Sequence, residues 1–203
     1  MVCHIVGAGT CPVLPSKKEG DLLIAADGGM DALRAANQTP DLLIGDFDSV
    51  KGELPSGVET LRLPVEKDET DMEAAIAQGI SRGFCEFAFY GAVGGRPDHT
   101  YANYRLVVSL AKRGMRGVIY GGAYSVSAVK DGTLVLPREA NGTVSVFAAD
   151  ERAEGVTLAG LYYPLTDAVL LPDVTLGVSN QVVSHPASVS VKKGCLLVMW
   201  SNG

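Results

Sequence analysis

The sequence predicts two domains: an N-terminal α/β domain built on a parallel sheet, residues 1–125, and a C-terminal all-β sandwich domain, residues 126–203. Two observations carry this prediction. In the first part, short apolar runs alternate with helix-like stretches, the mark of a parallel α/β sheet. Beyond Arg116, short β runs separated by turn signals follow one another with no convincing helix. Composition agrees: 203 residues, 47% hydrophobic and 20% charged, describe an ordinary globular chain with room for a real core. A net charge of -6 argues against a nucleic-acid surface.

Met1 to Val6 reads as the first strand and runs into Gly7-Ala8-Gly9. Such a turn lets backbone amides approach a phosphate, or is simply tight; no third glycine stands at dinucleotide-fold spacing. Asp21 to Ala26 is a second apolar run, ending in Asp27-Gly28-Gly29. Met30 to Asn37 is helix-like, and Asn37 to Pro40 stops it. Asp27 is either a cap for that helix or a carboxylate facing a ligand. Leu42 to Ile44 is a buried-strand run closed by Gly45, after which come Asp46, Phe47, Asp48 and Ser49. At a strand end, the i, i+2 pair Asp46 and Asp48 projects from one side of the backbone. Two carboxylates that close repel unless a cation lies between them, and hard oxygens suit Mg2+. Alone, the pair also reads as a solvated acidic turn.

Val58 to Leu63 is a short strand. Lys67-Asp68-Glu69-Thr70-Asp71 follows, then an amphipathic helix from Met72 to Arg82 with Met72, Ala75, Ile76 and Ile80 on one face. Thr70 or Asp71 caps it. Capping leaves Lys67 unexplained. Glu86 to Tyr90 is the next strand and enters Gly91-Ala-Val-Gly-Gly-Arg96-Pro-Asp98-His99. Glycines with an arginine at a strand-to-helix junction read as a phosphate-binding arrangement, since the guanidinium fork matches phosphate oxygens, or as a long flexible loop with one exposed arginine. The helix Thr100 to Arg113 presents Leu106, Val107 and Leu110 as its apolar side.

The C-terminal part contains β runs at Tyr124–Val129, Thr133–Leu136, Thr143–Ala148, Glu154–Leu158, Gly177–Ser179, Ser188–Val191 and Cys195–Trp200. Lys130-Asp-Gly, Asn141-Gly142 and Lys192-Lys-Gly are turns between them. An all-β domain of this size has a thin core and gains from docking. The four cysteines are scattered with no C-x-x-C pair, which predicts reduced thiols, no zinc site and a cytoplasmic location. No leader pattern and no membrane-spanning apolar segment are expected.

Taken together, Asp27-Gly28-Gly29, Gly45-Asp46-Phe47-Asp48-Ser49, Lys67-Asp68-Glu69-Thr70-Asp71 and Gly94-Gly95-Arg96-x-Asp98-His99 closely resemble, in order and spacing, the motif series of the thiamine pyrophosphokinase family. Gly160-Leu-Tyr-Tyr-Pro-Leu165 and Gly177-Val-Ser179-Asn180 resemble its β-domain signatures, so the likeness spans nearly the whole chain. The resemblance implies a nucleotide-binding α/β domain and transfer of pyrophosphate from ATP to the hydroxyethyl group of thiamine, giving thiamine diphosphate and AMP. It also implies a homodimer, with thiamine bound at the interface.

On that resemblance, Asp46, Asp48 and Asp71 are expected to hold Mg2+. Arg96 and Lys67 neutralise the phosphates, with Asp27, Asp68, Thr70 and His99 on the nucleotide side. Gly28, Gly29, Gly94 and Gly95 let the backbone come close, and Asp98 orients Arg96 or a water. Ser179 and Asn180 are the expected thiamine contacts. Trp200 offers either an aromatic face for the thiamine cation or plain core. Two alternatives remain: a diphosphokinase for another small alcohol such as a pterin, and a nucleotide-binding regulatory module without turnover. The first is disfavoured by Gly177 to Asn180, the second by the full set of carboxylates.

Overall fold

The computed structural model describes residues 1–47, 55–66 and 68–202. The chain divides into two compact units, one of Met1–Asn103 with Ile119–Gly121 and one of Tyr104–Val118 with Gly122–Gly203.

In the first unit the apolar runs become strands β1 (Cys3–Val6), β2 (Leu22–Ala26), β3 (Leu42–Gly45), β4 (Glu59–Arg62) and β5 (Glu86–Tyr90). They lie in the order β5-β1-β2-β3-β4, and every pairing is parallel. The first three are buried along their whole length, as a strand covered on both faces must be. β4 is the exception. It is mostly exposed, carries Glu59 and Arg62, and forms a charged edge that discourages further pairing.

Helix α1 (Gly29–Ala35) lies against β1 and β2, and α2 (Asp71–Ser81) against β1, β2 and β3. Leu23, Ala25, Leu43, Met30 and Leu33 pack into one buried cluster with Tyr90. Each fully buried Leu or Ile contributes about 2 kcal/mol of transfer free energy. Helix α3 (Pro97–Lys112) buries Val107 and Leu110 as expected, together with Val108, while Leu106 stays half-exposed. His4, a buried polar group, sits beside the core. His4 lies 3.3 Å from the Asp21 carboxylate and 3.4 Å from the Tyr90 hydroxyl.

Strand β6 (Arg116–Tyr120) is followed in the second unit by β7 (Tyr124–Lys130), β8 (Thr133–Val135), β9 (Ala140–Ala148), β10 (Ala153–Ala159), β11 (Leu165–Leu170), β12 (Asn180–Gln181), β13 (Ser188–Ser190) and β14 (Cys195–Asn202). Two antiparallel groups form, β12-β9-β14-β7 and β11-β10-β13-β8. Strand β11 is absent from the sequence reading. It is an exposed edge whose register with β10 is interrupted by irregularities, and Asp167 adopts a positive φ of 51°, so no clean alternation survives. The reverse holds at Gly177–Ser179, expected as a β run. Gly177 at φ 102° and Ser179 at φ 57° make it a turn, and the strand begins only at Asn180.

Candidate active site

Because β1 to β5 are parallel, the residues that follow them share one edge of the sheet. In open α/β sheets this carboxyl edge is where ligands bind. Asp27 follows β2, Asp46 follows β3, and the loop from Gly91 follows β5.

Asp27 is half-buried in the left-handed region at φ 46°, and its N–H donates to the Ile44 carbonyl at 2.7 Å. The N-cap of α1 is Gly28, so Asp27 is not the helix cap. Gly45 has φ 153°, and a Cβ there would stand 3.1 Å from the Asp27 backbone. The ends of β2 and β3 are thus drawn together beneath the two carboxylate-bearing turns. Gly29 is required for packing: a side chain would collide with the Val6 carbonyl where α1 crosses the end of β1.

The amides of the first glycine turn are already engaged. Gly7 donates to Tyr90 and Gly9 to Gly91, both at 2.8 Å, while Thr10 donates to Val93 at 2.9 Å and Gly94 at 3.0 Å. Through these three amides the turn fastens the loop after β5. Asn103, buried on α3, holds the same loop by donating to the Ala92 carbonyl at 2.7 Å. Gly94 and Gly95 then present an exposed turn at φ 73° and 137°.

Arg96 follows, exposed, and donates through Nε and an Nη to the two Asp98 oxygens at 3.2 and 2.6 Å. This fork draws the Asp98 carboxyl below, and the Arg96 guanidinium above, their usual values. The pair is preset near the start of α3, with His99 exposed beside it.

Thr70 is the N-cap of α2, its hydroxyl accepting from Glu73 N–H at 3.2 Å. Asp71 is the first helical residue, half-buried, at the positive end of the helix dipole. Asp68 is exposed just before it. Asp48, Ser49 and Lys67 lie outside the described residues. Among the described residues no three His, Cys, Asp or Glu side chains form a ready metal cage. Mg2+ does not need one, since it commonly takes one or two carboxylates and completes its shell with substrate phosphates and water. The donor set Asp46 and Asp71 fits that habit.

In the β unit, Asn180 is 2% exposed. Its Oδ1 accepts from Tyr163 N–H and Gln181 N–H, both at 2.9 Å, and its Nδ2 donates to the Tyr163 carbonyl at 2.7 Å. Two of its three bonds therefore hold the Tyr162–Tyr163 turn. Ser179 is exposed beside it, its N–H donating to Ser145 Oγ at 3.1 Å. Trp200 is 4% exposed within β14, so it is core. The exposed aromatics among the described residues of this unit are Tyr162 and Tyr163, edge to face at 4.8 Å between ring centres. Sequence reading quoted both tyrosines without a role. Two adjacent aromatics between a glycine and a proline were the available signal. Arg62, which donates to the Asp46 carbonyl at 3.0 Å, was missed because its reach crosses from β4 to β3.

Residues 16–119 match the family model of the thiamin pyrophosphokinase catalytic domain, and residues 133–196 that of the thiamin pyrophosphokinase vitamin B1 binding domain. Those matches, on this fold, define a transferase of the kinase class. A curated thiamine pyrophosphokinase of Bacillus subtilis is 25% identical over 208 residues, covering 98% of this chain and 97% of that protein. The crystal structure of a Bacillus subtilis thiamine pyrophosphokinase superposes with a TM-score of 0.90 at 24% identity, covering 100% of this chain and 99% of the other. One from Geobacillus thermodenitrificans gives 0.85 at 29%, covering 100% and 98%. The chain belongs to the thiamin pyrophosphokinase family, whose reaction moves pyrophosphate from ATP to thiamine.

Proposed function

We propose that the chain transfers the β,γ-pyrophosphoryl group of ATP to thiamine at the carboxyl edge of its parallel sheet. Mg2+ is held there by Asp46 and Asp71, with Asp48 as a further ligand. The observation that carries this reading is the shared edge. Three separate turns (Asp27–Gly29, Gly45–Phe47 and Gly91–Asp98) leave strands β2, β3 and β5 of one parallel sheet on the same side.

The reaction needs a primary alcohol aligned with the β-phosphorus and a sink for negative charge, so positioning and electrostatics dominate. When bound, Mg2+ supplies charge neutralisation at the phosphate oxygens. Arg96, held by the Asp98 fork, offers its remaining N–H groups to the phosphates, and Lys67 adds a second positive charge. Gly28, Gly94 and Gly95 leave the backbone open to the nucleotide, with Asp27, Asp68, Thr70 and His99 around it. AMP leaves as the new phosphoester bond forms on the thiamine oxygen.

Thiamine is recognised in the β unit by Ser179 and by the Tyr162–Tyr163 turn that Asn180 holds. An aromatic face suits its cationic ring. We further propose a homodimer with the thiamine site at its interface. Tyr162, Tyr163, Val174, Leu176 and Val183 of the β unit are exposed apolar side chains of the kind partners cover. Free thiols at all four cysteines suit a cytoplasmic enzyme.

The test is AMP release from ATP and Mg2+, with and without thiamine. Thiamine-dependent AMP is expected. ADP in its place would contradict the mechanism, and turnover with a pterin alcohol but not thiamine would favour the alternative acceptor.

A further inference from the structure

Arg62 is the last residue of β4, level in register with Gly45 of β3. Its guanidinium makes two contacts with the turn that follows β3. One N–H donates to the Asp46 carbonyl at 3.0 Å, and the group stands 5.2 Å from the centre of the Phe47 ring. Phe47 needs such support. It adopts φ 63°, a left-handed conformation unfavourable for a bulky side chain, and it is only partly buried, leaning on the cluster of Val6, Leu43 and Met30. From the β2 side, Asp27 N–H holds the Ile44 carbonyl, and on the β4 side, next to Arg62, Leu63 N–H continues the ladder to the Gly45 carbonyl at 2.9 Å. The turn is therefore fixed at Ile44 and Gly45 by backbone bonds, and at Asp46 and Phe47 by Arg62.

We infer that Arg62 is a positioning residue for the phosphate–metal chemistry: its clamp on Asp46 and Phe47 sets the direction in which the Asp46 carboxylate faces the site. This inference rests on the assignment of Asp46 given above. It differs from a phosphate-contact role, because the contacts of Arg62 run inward to the Asp46–Phe47 backbone and ring. Arginine suits the task. A planar guanidinium can donate to a carbonyl and lie over a ring together, whereas a lysine offers a point charge and does each less well.

The experiment compares wild type with Arg62→Met, Arg62→Lys and Phe47→Leu. It reads thiamine-dependent AMP release against Mg2+ concentration, the KM for thiamine and the thermal midpoint. Groups that orient a metal ligand typically change metal affinity tenfold or more when removed. Arg62→Met is expected to raise half-saturating Mg2+ about tenfold, with the KM for thiamine within about twofold and kcat largely recovered at saturating Mg2+. Arg62→Lys should fall between Met and wild type. Phe47→Leu, which keeps a core side chain but removes the stacking, should shift the same way by less. If Arg62→Met does not fold, Arg62→Lys and Phe47→Leu carry the comparison. An unchanged Mg2+ dependence in all soluble variants overturns the inference, as does a loss of kcat that saturating Mg2+ leaves unrepaired. A wild-type protein without thiamine-dependent AMP release would bring down the proposed function and this inference together. A normal wild type with unresponsive variants overturns the inference alone.

Discussion

Replacing Asn180 by alanine separates packing from recognition in the β unit. The side chain is 2% exposed and bonds three backbone groups: the Tyr163 N–H, the Tyr163 carbonyl and the Gln181 N–H. Alanine leaves all three without that partner. At about 1 kcal/mol for each lost bond, the cost is about 3 kcal/mol. For a chain of this length that lowers the thermal midpoint by about 10 °C. The same change frees the Tyr162–Tyr163 turn. Losing one aromatic–cation contact worth about 1–2 kcal/mol should raise the KM for thiamine about five- to thirtyfold. The KM for ATP should hold, because the residues proposed for the phosphates lie in the other unit. Steady-state kinetics with each substrate varied in turn, beside differential scanning fluorimetry, reads both effects. A full loss of thermal stability with an unchanged thiamine KM would refute the reasoning that links Asn180 to recognition. An unchanged midpoint would refute the hydrogen-bond accounting.

Asp71→Asn should nearly abolish AMP release while leaving the thermal midpoint within a few degrees, since Thr70 still caps α2; normal turnover would remove Asp71 from the metal site. Asp21 should confer an acid-sensitive part of stability. Its carboxyl is held down at about 2, against an ordinary 3.8, first by the Val2 N–H at 2.7 Å and then by the Lys18 N–H and His4. A depressed carboxyl stabilises the fold above its unfolded value, and that contribution disappears as pH falls from 3.8 through about 2. The amount is about 2 kcal/mol, and Asp21→Asn should flatten urea-unfolding stability across that window. A variant that keeps the wild-type acid slope would assign the slope to other carboxylates.

The parallel sheet was legible because its inner strands are buried on both faces. Leu22 to Ala26 and Leu42 to Ile44 are unbroken apolar runs, and each ends in the acidic or glycine turn that a ligand edge needs. Helix α2 was legible from its period and its Thr70 cap. Strand β11 was not, since an irregular, exposed edge loses the alternation that marks a strand. The chemical roles divide in the same way. Arg96 and Asp98 are neighbours in sequence, so their fork could be anticipated. The engagement of Gly7, Gly9 and Thr10 with the loop after β5 depends on strands far apart in the chain, as does the grip of Asn180 on Tyr163. No local pattern encodes either. Asp27 shows a further limit. A carboxylate before a helix reads as a cap, but a left-handed backbone moved the cap to Gly28.

In the proposed reaction the two terminal phosphates of ATP move together to the thiamine hydroxyl. The most direct measurement uses ATP labelled at the β-phosphorus, with wild-type enzyme, Mg2+ and thiamine, and follows the label after separating the products. Transfer of the intact pyrophosphoryl group puts the β label in thiamine diphosphate and leaves unlabelled AMP. A β label retained in ADP, with only the γ-phosphorus reaching thiamine, would contradict the account.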